Sequence, residues 1–459
     1  MMRNIYKTLL LFAVIIVSMA SCKMGKNYSR PEVEAPESFR FSEGDTTFND
    51  AIKWWTVFDD PILDTLISTA LKNNYDVLAT AEKVEAAMYQ LNIQKAEMLP
   101  KFGVTGQAQR GNFNFVQSES ISNNFVIGAQ ASWELDFWGK FRRLNEASRA
   151  QYLATEYGLS SLKLSLVTAV ATSYFQILEY KEKQFISEST YAIRDSSLNL
   201  IQQRFDAGII PEIDLNHAQI QRAIAATSIP LYKRLAAHSE STLSILLGEN
   251  PRELLTNVEL QDISYVPEIP VGIPADLLER RPDVLLAEQE LVAQNAMIGV
   301  AQANRFPSFS LTGMFGGASD DLSTLTSGGA AWNVGGSLLG PLFHWNQNAN
   351  RVKAERSKKE AAIYNYQNVA LKAFKEVADL LIEIATLKEE EAAIQEHVTA
   401  SLSATFLSSE RYDKGIASYI EYLESQRQAF DAQIGLAENR QKLLSAYIKL
   451  YQALGGGWE

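Results

Sequence analysis

Three residues near the C-terminus place an apolar, an acidic and a basic side chain on one face of a predicted helix. Ile420, Glu424 and Arg427 are spaced four and three residues apart, and residues at such spacings are neighbours on a helix surface. A carboxylate and a guanidinium at this spacing form an ion pair, which contributes little to stability when it is solvated. The spacing alone therefore predicts a surface ion pair, and any further role depends on the elements around it.

The only cysteine of the chain, Cys22, directly follows a predicted signal peptide at residues 1–21. Arg3 and Lys7 give a basic start, and the apolar run from Leu9 to Val17 is too short to span a membrane. The small residues before Cys22 resemble a bacterial lipobox, which implies cleavage before Cys22 and acylation of its thiol. The acyl chains would anchor the N-terminus in a membrane leaflet. The alternative is an incidental or buried cysteine.

Composition and spacing argue against several other kinds of chemistry. In 459 residues, 42 Lys and Arg against 54 Asp and Glu give a net charge of −12, whereas nucleic-acid binders normally carry a basic face. No Cys/His cluster has zinc-site spacing, so no metal site is predicted. The His residues lie in no metalloprotease or triad-like motif, and Gly455–Gly457 lacks the context of a phosphate-binding loop. We predict that the chain is not an enzyme and needs no cofactor besides the covalent lipid on Cys22.

The elements that position these residues follow an internal repeat with a constant offset. Asp76 recurs as Asp283 (283 − 76 = 207), and Arg204–Ile209 recurs as Arg411–Ile416 at the same offset. Chance matches would scatter over many offsets, so a constant one indicates two structural halves. The predicted organisation is a signal peptide at 1–21, a lipidated polar tether at 22–50, a first repeat at 51–250, a Pro-containing linker at 251–274 and a second repeat at 275–459.

Each repeat contains two segments in which apolar and polar residues alternate. They lie around 102–109, 125–137, 308–315 and 332–338, and the period of two predicts β-strands with one apolar face. A length of about ten residues fits a tilted strand that crosses an outer membrane, although a soluble sheet packed on helices alternates too. Aromatic residues lie toward the strand ends, as in the girdles of membrane barrels: Trp133, Phe137, Trp138, Trp332 and Phe343.

Four strands cannot close a barrel, and an open sheet edge cannot face lipid. Because eight strands is about the observed minimum for an outer-membrane barrel, the strands would have to be shared between subunits. Two chains would supply eight strands and three would supply twelve, and the residues alone leave both open.

The remaining sequence predicts unusually long helices. Residues 140–206 contain no Pro and a single Gly, and residues 342–414 contain neither. Such lengths indicate coiled-coil or helical-barrel packing rather than an ordinary globular helix. The last helix carries a mostly apolar heptad, interrupted by Arg427 and Gln441. Its a positions are Ile420, Arg427, Ile434, Gln441 and Ile448, and its d positions are Leu423, Phe430, Ala437, Leu444 and Tyr451. These two polar residues either control the register as buried groups, or they face a water-filled lumen or pair across subunits. No uninterrupted stretch of about 18 apolar residues follows the signal peptide, so no membrane-spanning helix is predicted in the mature chain.

Several motifs together resemble one known family. The first strand pair ends in Trp133–Gly139, the second half opens with the charged run Asp276–Asp283, and the chain closes with Ala453–Trp458. On these residues the chain resembles the TolC-like outer-membrane efflux proteins over almost its whole length, and most closely their lipidated, NodT-type branch. One departure is Phe343–Asn346, where the family usually has a small or acidic residue and Gly, and it concerns the local turn geometry rather than the fold.

The resemblance implies a mainly α-helical fold in which long helices form a periplasmic α-barrel. Four strands per chain would contribute to a twelve-stranded barrel shared by a homotrimer in the outer membrane. The resemblance also implies a channel for drugs or other small toxic compounds, with a periplasmic adaptor and an inner-membrane pump of the RND type as partners. The alternatives are the conduit of an ABC-driven type I secretion system and a non-channel scaffold lipoprotein of the periplasm.

The family resemblance assigns a docking role to the repeated glycine motif. Gly208 and Ile209 in the first repeat, and Gly415 and Ile416 in the second, would form two periplasmic hairpin tips that contact the adaptor and the pump. Simple capping of a helix end requires the same Gly, so the two roles are compatible.

The resemblance also assigns a role to the three residues introduced first. Ile420, Glu424 and Arg427 would form the periplasmic gate, because Tyr419–Arg427 matches the constriction pattern of the family. Trimer symmetry would turn each residue into a ring, in which apolar side chains exclude water and charged side chains select ions. The alternative remains a solvated ion pair.

Overall fold

The computed structural model describes residues 23–41, 55, 58–111, 121–256, 258–263, 274–327 and 329–456. The predicted signal peptide and Cys22 lie outside these residues, as do parts of the predicted tether and linker and the C-terminal Trp458. The chain divides into two compact units. The strand unit comprises Lys83–Glu156, Leu286–Asn368 and the described residues up to Glu32, and the hairpin unit comprises the described residues of Val33–Glu82, Tyr157–Leu285 and Val369–Glu459.

One antiparallel sheet of four strands lies in the strand unit. Its strands are β1 (Lys101–Gly111), β2 (Ser122–Leu135), β3 (Ser308–Ser319) and β4 (Ala331–Leu339), in the order β1-β2-β3-β4. Each repeat contributes one pair of neighbouring strands, and the pairing of β2 with β3 joins the two repeats. The four predicted strands are therefore confirmed.

The register brings the apolar positions of all four strands onto one face. Ala129 of β2 is opposite Val104 in β1 and Phe315 in β3, and Phe315 is opposite Trp332 in β4. Directly opposite residues of antiparallel strands lie on the same face of the sheet. The apolar face also carries Leu135, Phe309 and Leu338.

The other face, here the polar face, carries hydroxyl, amide and carboxylate side chains, as in the row Glu134, Ser310 and Ser337. Among the described strands, β1 and β4 are each paired on one side only. Apolar side chains of these two strands, such as Val104 and Val334, are exposed. An apolar face with two unpaired edges is what a single subunit of a shared barrel would leave uncovered.

Eight α-helices occur in the described residues. They are α1 (Pro61–Asn73), α2 (Tyr75–Ala96), α3 (Lys140–Asp206), α4 (Glu212–Leu246), α5 (Leu277–Arg280), α6 (Pro282–Ala303), α7 (Gln347–Asp413) and α8 (Tyr419–Ala453). The longest, α3 and α7, have 67 residues each, which corresponds to about 100 Å at 1.5 Å per residue. The helix starts keep the predicted offset, since 347 − 140 = 207 and 419 − 212 = 207.

One described helix, α3, contains a window that is apolar enough to cross a membrane by length and composition. More than half of that window is buried within the chain, as in the core helix of a soluble protein. The finding is weak evidence for a span, and it does not change the prediction that the mature chain has no membrane-spanning helix.

The two repeats close the ends of α4 and α8 with different side chains at one repeat position. Asn74 donates its side-chain amide to the carbonyl oxygen of Leu246 at 3.0 Å. Arg281 (281 − 74 = 207) donates Nη1 to the equivalent carbonyl oxygen of Ala453, also at 3.0 Å. The last carbonyls of a helix have no partner within the helix, and leaving them unpaired in a buried place is costly. Each residue therefore stabilises the end of one helix.

The carboxylate of Asp60 joins α1 to α3 in the core of the hairpin unit. It accepts a hydrogen bond from the backbone N–H of Ile62 at 2.9 Å and another from the hydroxyl of Tyr174 at 2.6 Å. Beside this contact, the rings of Phe58 and Phe175 pack edge to face with centres 5.2 Å apart. Burial, assisted by the Asp60 hydrogen bond, raises the pKa of Tyr174 above its usual range, so the hydroxyl stays protonated and donates.

Residues 23–32 are held along the strand unit although they form no helix or strand. Arg30 binds the Glu288 carboxylate of α6 through hydrogen bonds of 2.8 and 2.7 Å. Arg143 of α3 donates Nε to the carbonyl oxygen of Met24 at 2.8 Å. The first part of the predicted tether is therefore bound to α3 and α6, which its polar composition did not predict.

Candidate gate and docking site

Both long helices, α3 and α7, end in the same turn at the predicted hairpin tips. The backbone N–H of Ile209 donates to the carbonyl oxygen five residues earlier at 2.9 Å, and the N–H of Ile416 does so at 2.8 Å. Gly208 and Gly415 adopt φ values of 72° and 71°. This is the Schellman arrangement, in which a residue in the left-handed region ends a helix. Gly is favoured there because other L-residues are strained at positive φ.

The isoleucines that follow the two glycines are exposed. Ile209 is 71% exposed and Ile416 is 65% exposed, and their side chains take no part in the backbone hydrogen bonds of the turn. Within the described chain, nothing lies within 4 Å of a Cβ placed on Gly208 or Gly415. The glycines are thus explained by capping, whereas the isoleucines present apolar side chains to the surroundings of the tips.

A cluster of buried residues behind the tips, termed the tip cluster, packs α3, α4 and α8 together. Its members are Ile201, Leu215, Ala218, Tyr419 and Leu423. Burial raises the pKa of Tyr419 above its usual range, so the hydroxyl stays protonated in this apolar setting. The first hairpin and the second are therefore joined near their tips.

An ion pair that the sequence did not predict also links the two tips. Arg204 Nη2 lies 3.3 Å from Asp413 Oδ1, and the same guanidinium lies 4.8 Å from the centre of the Tyr412 ring. The repeat counterpart, Arg411, pairs instead with Glu421 at 3.2 Å. Both arginines belong to the repeated motif, and this repetition was the sequence signal that could have pointed to them. Their partners depend on how the hairpins pack and not on local spacing.

The predicted gate residues share one exposed face of α8. Ile420 is 59% exposed, and Arg427 binds Glu424 through two hydrogen bonds, Nε to Oε2 at 3.0 Å and Nη2 to Oε1 at 2.6 Å. Arg427 Nη1 also donates to Asp431 Oδ2 at 3.2 Å. Asp431, four residues after Arg427, extends the face and was missed in the sequence. The four residues Ile420, Glu424, Arg427 and Asp431 are termed the gate stripe.

The ion pair shifts the pKa of both of its partners. Hydrogen bonds from Arg427, and secondarily from Gln428, lower the pKa of Glu424 to about 2. The hydrogen bond to Glu424 in turn raises the pKa of Arg427. Both side chains are charged at neutral pH, and they pair within one chain. The stripe therefore presents an apolar residue followed by one guanidinium between two carboxylates, a formal charge of 1 − 2 = −1.

Comparison with known proteins identifies the family. The sequence profile of the family described as outer membrane efflux protein matches residues 66–249 and 273–456, which together exceed half of the chain. The chain belongs to the outer membrane efflux protein family. The starts of the two matches differ by 273 − 66 = 207 residues, which confirms the internal repeat. The predicted domain limits remain predictions.

Curated relatives and solved structures match this efflux protein over nearly its full length. It is 33% identical to the antibiotic efflux pump outer membrane protein ArpC of Pseudomonas putida, covering 98% of this chain and 96% of ArpC. It is 32% identical, with the same coverage, to the toluene efflux pump outer membrane protein TtgC of a Pseudomonas putida strain. The outer-membrane channel OprN superposes with a TM-score of 0.88 at 27% identity, covering 95% of this chain and 100% of OprN.

The family fixes what kind of molecule the chain is. It is an outer-membrane efflux channel, and the predicted resemblance and fold class, long helices with four strands that contribute to a shared barrel, are confirmed. The relatives are channels and not enzymes. The family match does not assign roles to the gate or tip residues, which remain predictions.

An arginine near the gate stripe of this efflux channel is buried, which sequence reasoning missed. Arg194 of α3 is 2% exposed, and its Nη1 donates to the carbonyl oxygen of Gln221 at 2.8 Å. Its guanidinium lies 5.2 Å from the centre of the Phe430 ring of α8. Within the described chain its Nε and Nη2 have no hydrogen-bond partner, and burial lowers its pKa. No local pattern distinguishes this arginine from the exposed ones of a long helix.

The heptad predicted for α8 matches the burial only in part. Of the predicted d positions, Leu423, Phe430, Ala437 and Leu444 are buried and Tyr451 is half-buried. Among the a positions, Ile420 and Arg427 are exposed, whereas Ile448 is buried and Gln441 is buried with its amide donating to Ser445 Oγ at 2.8 Å. A straight helix has 3.6 residues per turn, so a strict heptad drifts around it by about 20° per repeat. The two polar interruptions therefore differ, since Arg427 faces outward and Gln441 lies in the core.

The predicted lipidation site, Cys22, lies outside the described residues. The described chain begins beside the end of β2, where Lys23 pairs with Glu146 at 2.5 Å and the N–H of Met24 donates to the carbonyl oxygen of Trp138 at 3.0 Å. Among the described residues, no three His, Cys, Asp or Glu side chains form a group that could hold a metal ion.

Proposed function

We propose that the chain forms a homotrimeric outer-membrane channel in a tripartite efflux system, with a periplasmic adaptor and an inner-membrane RND-type pump. The observation that carries the proposal is the open sheet of four strands. The unpaired backbone groups of β1 and β4 cannot face lipid. Three copies supply 3 × 4 = 12 strands, so that each edge meets the edge of a neighbour and the apolar face meets the lipid.

The pump, rather than this channel, is proposed to select the cargo. Two relatives with almost the same identity to this chain are named for different cargo, one for antibiotics and the other for toluene. A barrel whose polar face lines the lumen offers passage to many solutes and recognises none of them closely. Drugs or other small toxic compounds are therefore the proposed cargo class.

The hairpin tips are proposed to bind the adaptor and the pump. Gly208 and Gly415 shape the tips, and Ile209 and Ile416 supply exposed apolar side chains. The double variant Ile209→Asp/Ile416→Asp should lose the adaptor in co-purification and keep its helical content, because neither side chain supports the turn. Ile245→Asp, a similarly exposed position on α4 away from the tips, is the matched control. Undiminished recovery of the adaptor with the double variant would remove the tips from the docking surface.

Ile420, Glu424 and Arg427 are proposed to form the periplasmic gate. Three-fold symmetry would arrange them as rings that exclude water and select ions. The variant Glu424→Ala/Arg427→Ala should raise single-channel conductance and the permeability of cells to large antibiotics. The control His217→Ala/Ile220→Ala changes the same register positions of α4 (424 − 217 = 207). Unchanged conductance in the first variant, or an equal rise in the second, would contradict the gate assignment.

Cys22 is proposed to carry a covalent lipid, which would anchor the chain in the outer membrane. The support is its place after the signal peptide, together with the ordered attachment of residues 23–32 beside the end of β2. A clickable fatty acid fed to the cells should label the wild type and leave Cys22→Ser unlabelled. Equal labelling of both would refute the site.

Crosslinking in cells, followed by detergent pull-down and mass spectrometry, tests the proposed system as a whole. We expect a trimer together with an adaptor and an RND pump. Recovery with an ABC exporter would keep the channel and move the function to type I secretion. A monomer that extracts without detergent and brings no inner-membrane partner would contradict the channel and favour a periplasmic scaffold.

A further inference from the structure

The two repeats differ where a strand leads into a long helix. Trp138 lies in the junction between β2 and α3, and Trp345 has the same repeat position between β4 and α7 (345 − 138 = 207). Trp138 stacks on Phe306 with ring centres 4.6 Å apart, and its indole N–H donates to the carbonyl oxygen of Pro307 at 2.8 Å. Trp345 is 84% exposed. One tryptophan is therefore packed, and its counterpart projects from the strand unit.

The backbone of the second junction is left-handed at both Trp345 and Asn346. Asn346 has a φ of 61° at the repeat position of Gly139, whose φ is 74°, and Asn is one of the few residues that tolerate this region. Trp345 itself has a φ of 46°, which is uncommon for a bulky residue. Its ring packs against that of Phe343 with centres 4.8 Å apart. The departure from the family pattern thus keeps a left-handed turn and adds a packed aromatic pair.

The aromatic pair lies outside the groove beside the junction. This groove, of about 440 Å³, is lined by residues from both faces of the sheet, such as Glu134 and Leu135, and by His344. Neither Phe343 nor Trp345 lines this groove. The neighbouring Leu342 is fully exposed, so three large apolar side chains project from one short turn.

The second junction is also free of formal charge. Residues 322–350 contain no Asp, Glu, Lys or Arg. In the first junction, by contrast, Glu134 pairs with Lys140 at 3.0 Å and Asp136 pairs with Arg142 at 3.1 Å. An apolar turn without charges enters a membrane interface at a much lower cost than a charged one.

We propose that Leu342, Phe343 and Trp345 form a membrane-interface anchor that inserts into the phospholipid leaflet at the helical end of the barrel. All three side chains are more than two-thirds exposed. The anchor follows β4 in the chain, and the apolar face of β4 carries Leu338 opposite Phe309. Aromatic rings, Trp above all, favour the boundary between headgroups and acyl chains. The inference rests on the outer-membrane location and is independent of the proposed pump and adaptor.

Tryptophan quenching in proteoliposomes tests the anchor on the full-length protein. The vesicles contain phosphatidylethanolamine and phosphatidylglycerol, with or without lipids brominated near the headgroup end of the acyl chain. Trp345→Phe removes one indole and keeps an aromatic ring, and Trp138→Phe is the control at the same repeat position. We expect Trp345→Phe to lower the fraction of tryptophan fluorescence that brominated lipid quenches. The fraction that aqueous iodide quenches should stay the same. Trp138→Phe should leave the bromine-quenched share unchanged.

Two other results would overturn the proposal. A fall in the iodide-quenched share with Trp345→Phe would place the indole in water. A fall in neither share would mean that another part of the assembly, such as a second copy of the chain, covers it. Phe343→Trp provides an independent check, because it adds an indole to the anchor and should raise the bromine-quenched share.

Discussion

The exposed faces of α4 and α8 differ although the two helices have the same place in their repeats. The gate stripe of α8 is Ile420, Glu424, Arg427 and Asp431, and the same register positions of α4 hold Ile213, His217, Ile220 and Ile224. The three isoleucines of α4 are exposed, whereas three of the four positions on α8 are charged. An exposed apolar stripe is typical of a packing surface, and a charged one suits a water-filled pathway. We therefore expect α4 to contact neighbouring helices in the assembly and α8 to border the lumen.

The repeats share the features that shape the backbone and differ in those that meet the surroundings. Gly208 and Gly415 end their helices with nearly the same φ, because few residues other than Gly accept that conformation. Asn74 and Arg281 satisfy equivalent carbonyl groups with different chemistry. A backbone requirement thus restricts the residue type closely, whereas a surface position is restricted only by what covers it.

The largest effect is expected when the charge of the gate stripe is moved onto α4. Ile220→Arg introduces the residue that stands at 427, and a guanidinium buried without a partner costs about 3–5 kcal/mol. The fraction of trimer in native mass spectrometry should fall sharply. The reverse change, Arg427→Ile, should keep the trimer and alter conductance. Loss of the trimer in both variants, or in neither, would show that the two faces do not differ in role.

A smaller loss is expected from the pair of residues that close the helix ends. Arg281→Met leaves the carbonyl of Ala453 and the carboxylate of Asp283 without their guanidinium, at a cost of about 3 kcal/mol. Asn74→Leu removes the hydrogen bond to Leu246 and the two that Asn74 Oδ1 accepts from the backbone N–H groups of Asp76 and Val77, at a combined cost of about 2 kcal/mol. Thermal unfolding in detergent, followed by circular dichroism, should rank the variants in this order. Equal losses would mean that the cation of Arg281 adds nothing to the cap.

Much of the fold could be predicted because it is encoded locally. The alternation in 125–137 gave a strand and its faces, and the absence of Pro in 140–206 allowed one long helix. The common face of Ile420, Glu424 and Arg427 follows from helical spacing alone. The same spacing rule, extended by four residues, would also have found Asp431.

Contacts between distant segments could not be predicted in this way. Arg204 and Asp413 are 209 residues apart, and Arg30 and Glu288 are 258 apart. Their pairing depends on how long helices pack, which no local pattern specifies. The burial of Arg194 has the same origin, since it depends on contacts with Gln221 of α4 and Phe430 of α8. The heptad wrongly placed Ile420 in the buried seam, because a straight α-helix has 3.6 rather than 3.5 residues per turn.

The two hairpin tips should respond alike when their glycines are changed. Gly208→Ala and Gly415→Ala force a Cβ into the left-handed region, at a cost of about 1–2 kcal/mol each, and the Asn variants should lose less. Gly435→Ala, within α8 and with free space around its Cβ, should instead stabilise the chain by about 0.5–1 kcal/mol. Thermal unfolding provides the measurement. A loss with Gly435→Ala, or clearly unequal losses at the tips, would mean that something other than backbone conformation distinguishes these sites.

The smallest effect is expected from pH. The pKa of Glu424 is lowered from 4.5 to about 2, chiefly by hydrogen bonds from Arg427. A carboxyl whose pKa is lower in the folded than in the unfolded state stabilises the folded state above its unfolded pKa. That contribution is lost as the pH falls toward the folded pKa of about 2. The pair is therefore fully charged between about pH 5 and pH 8.

Single-channel conductance should accordingly show no change between about pH 5 and pH 8 that depends on Glu424. Glu424→Gln removes the titrating group, so a pH step present in the wild type and absent from this variant would contradict the ion pair described for α8. A step that persists in Glu424→Gln must come from another group. Such a step would leave the pairing of Glu424 with Arg427 on α8 intact.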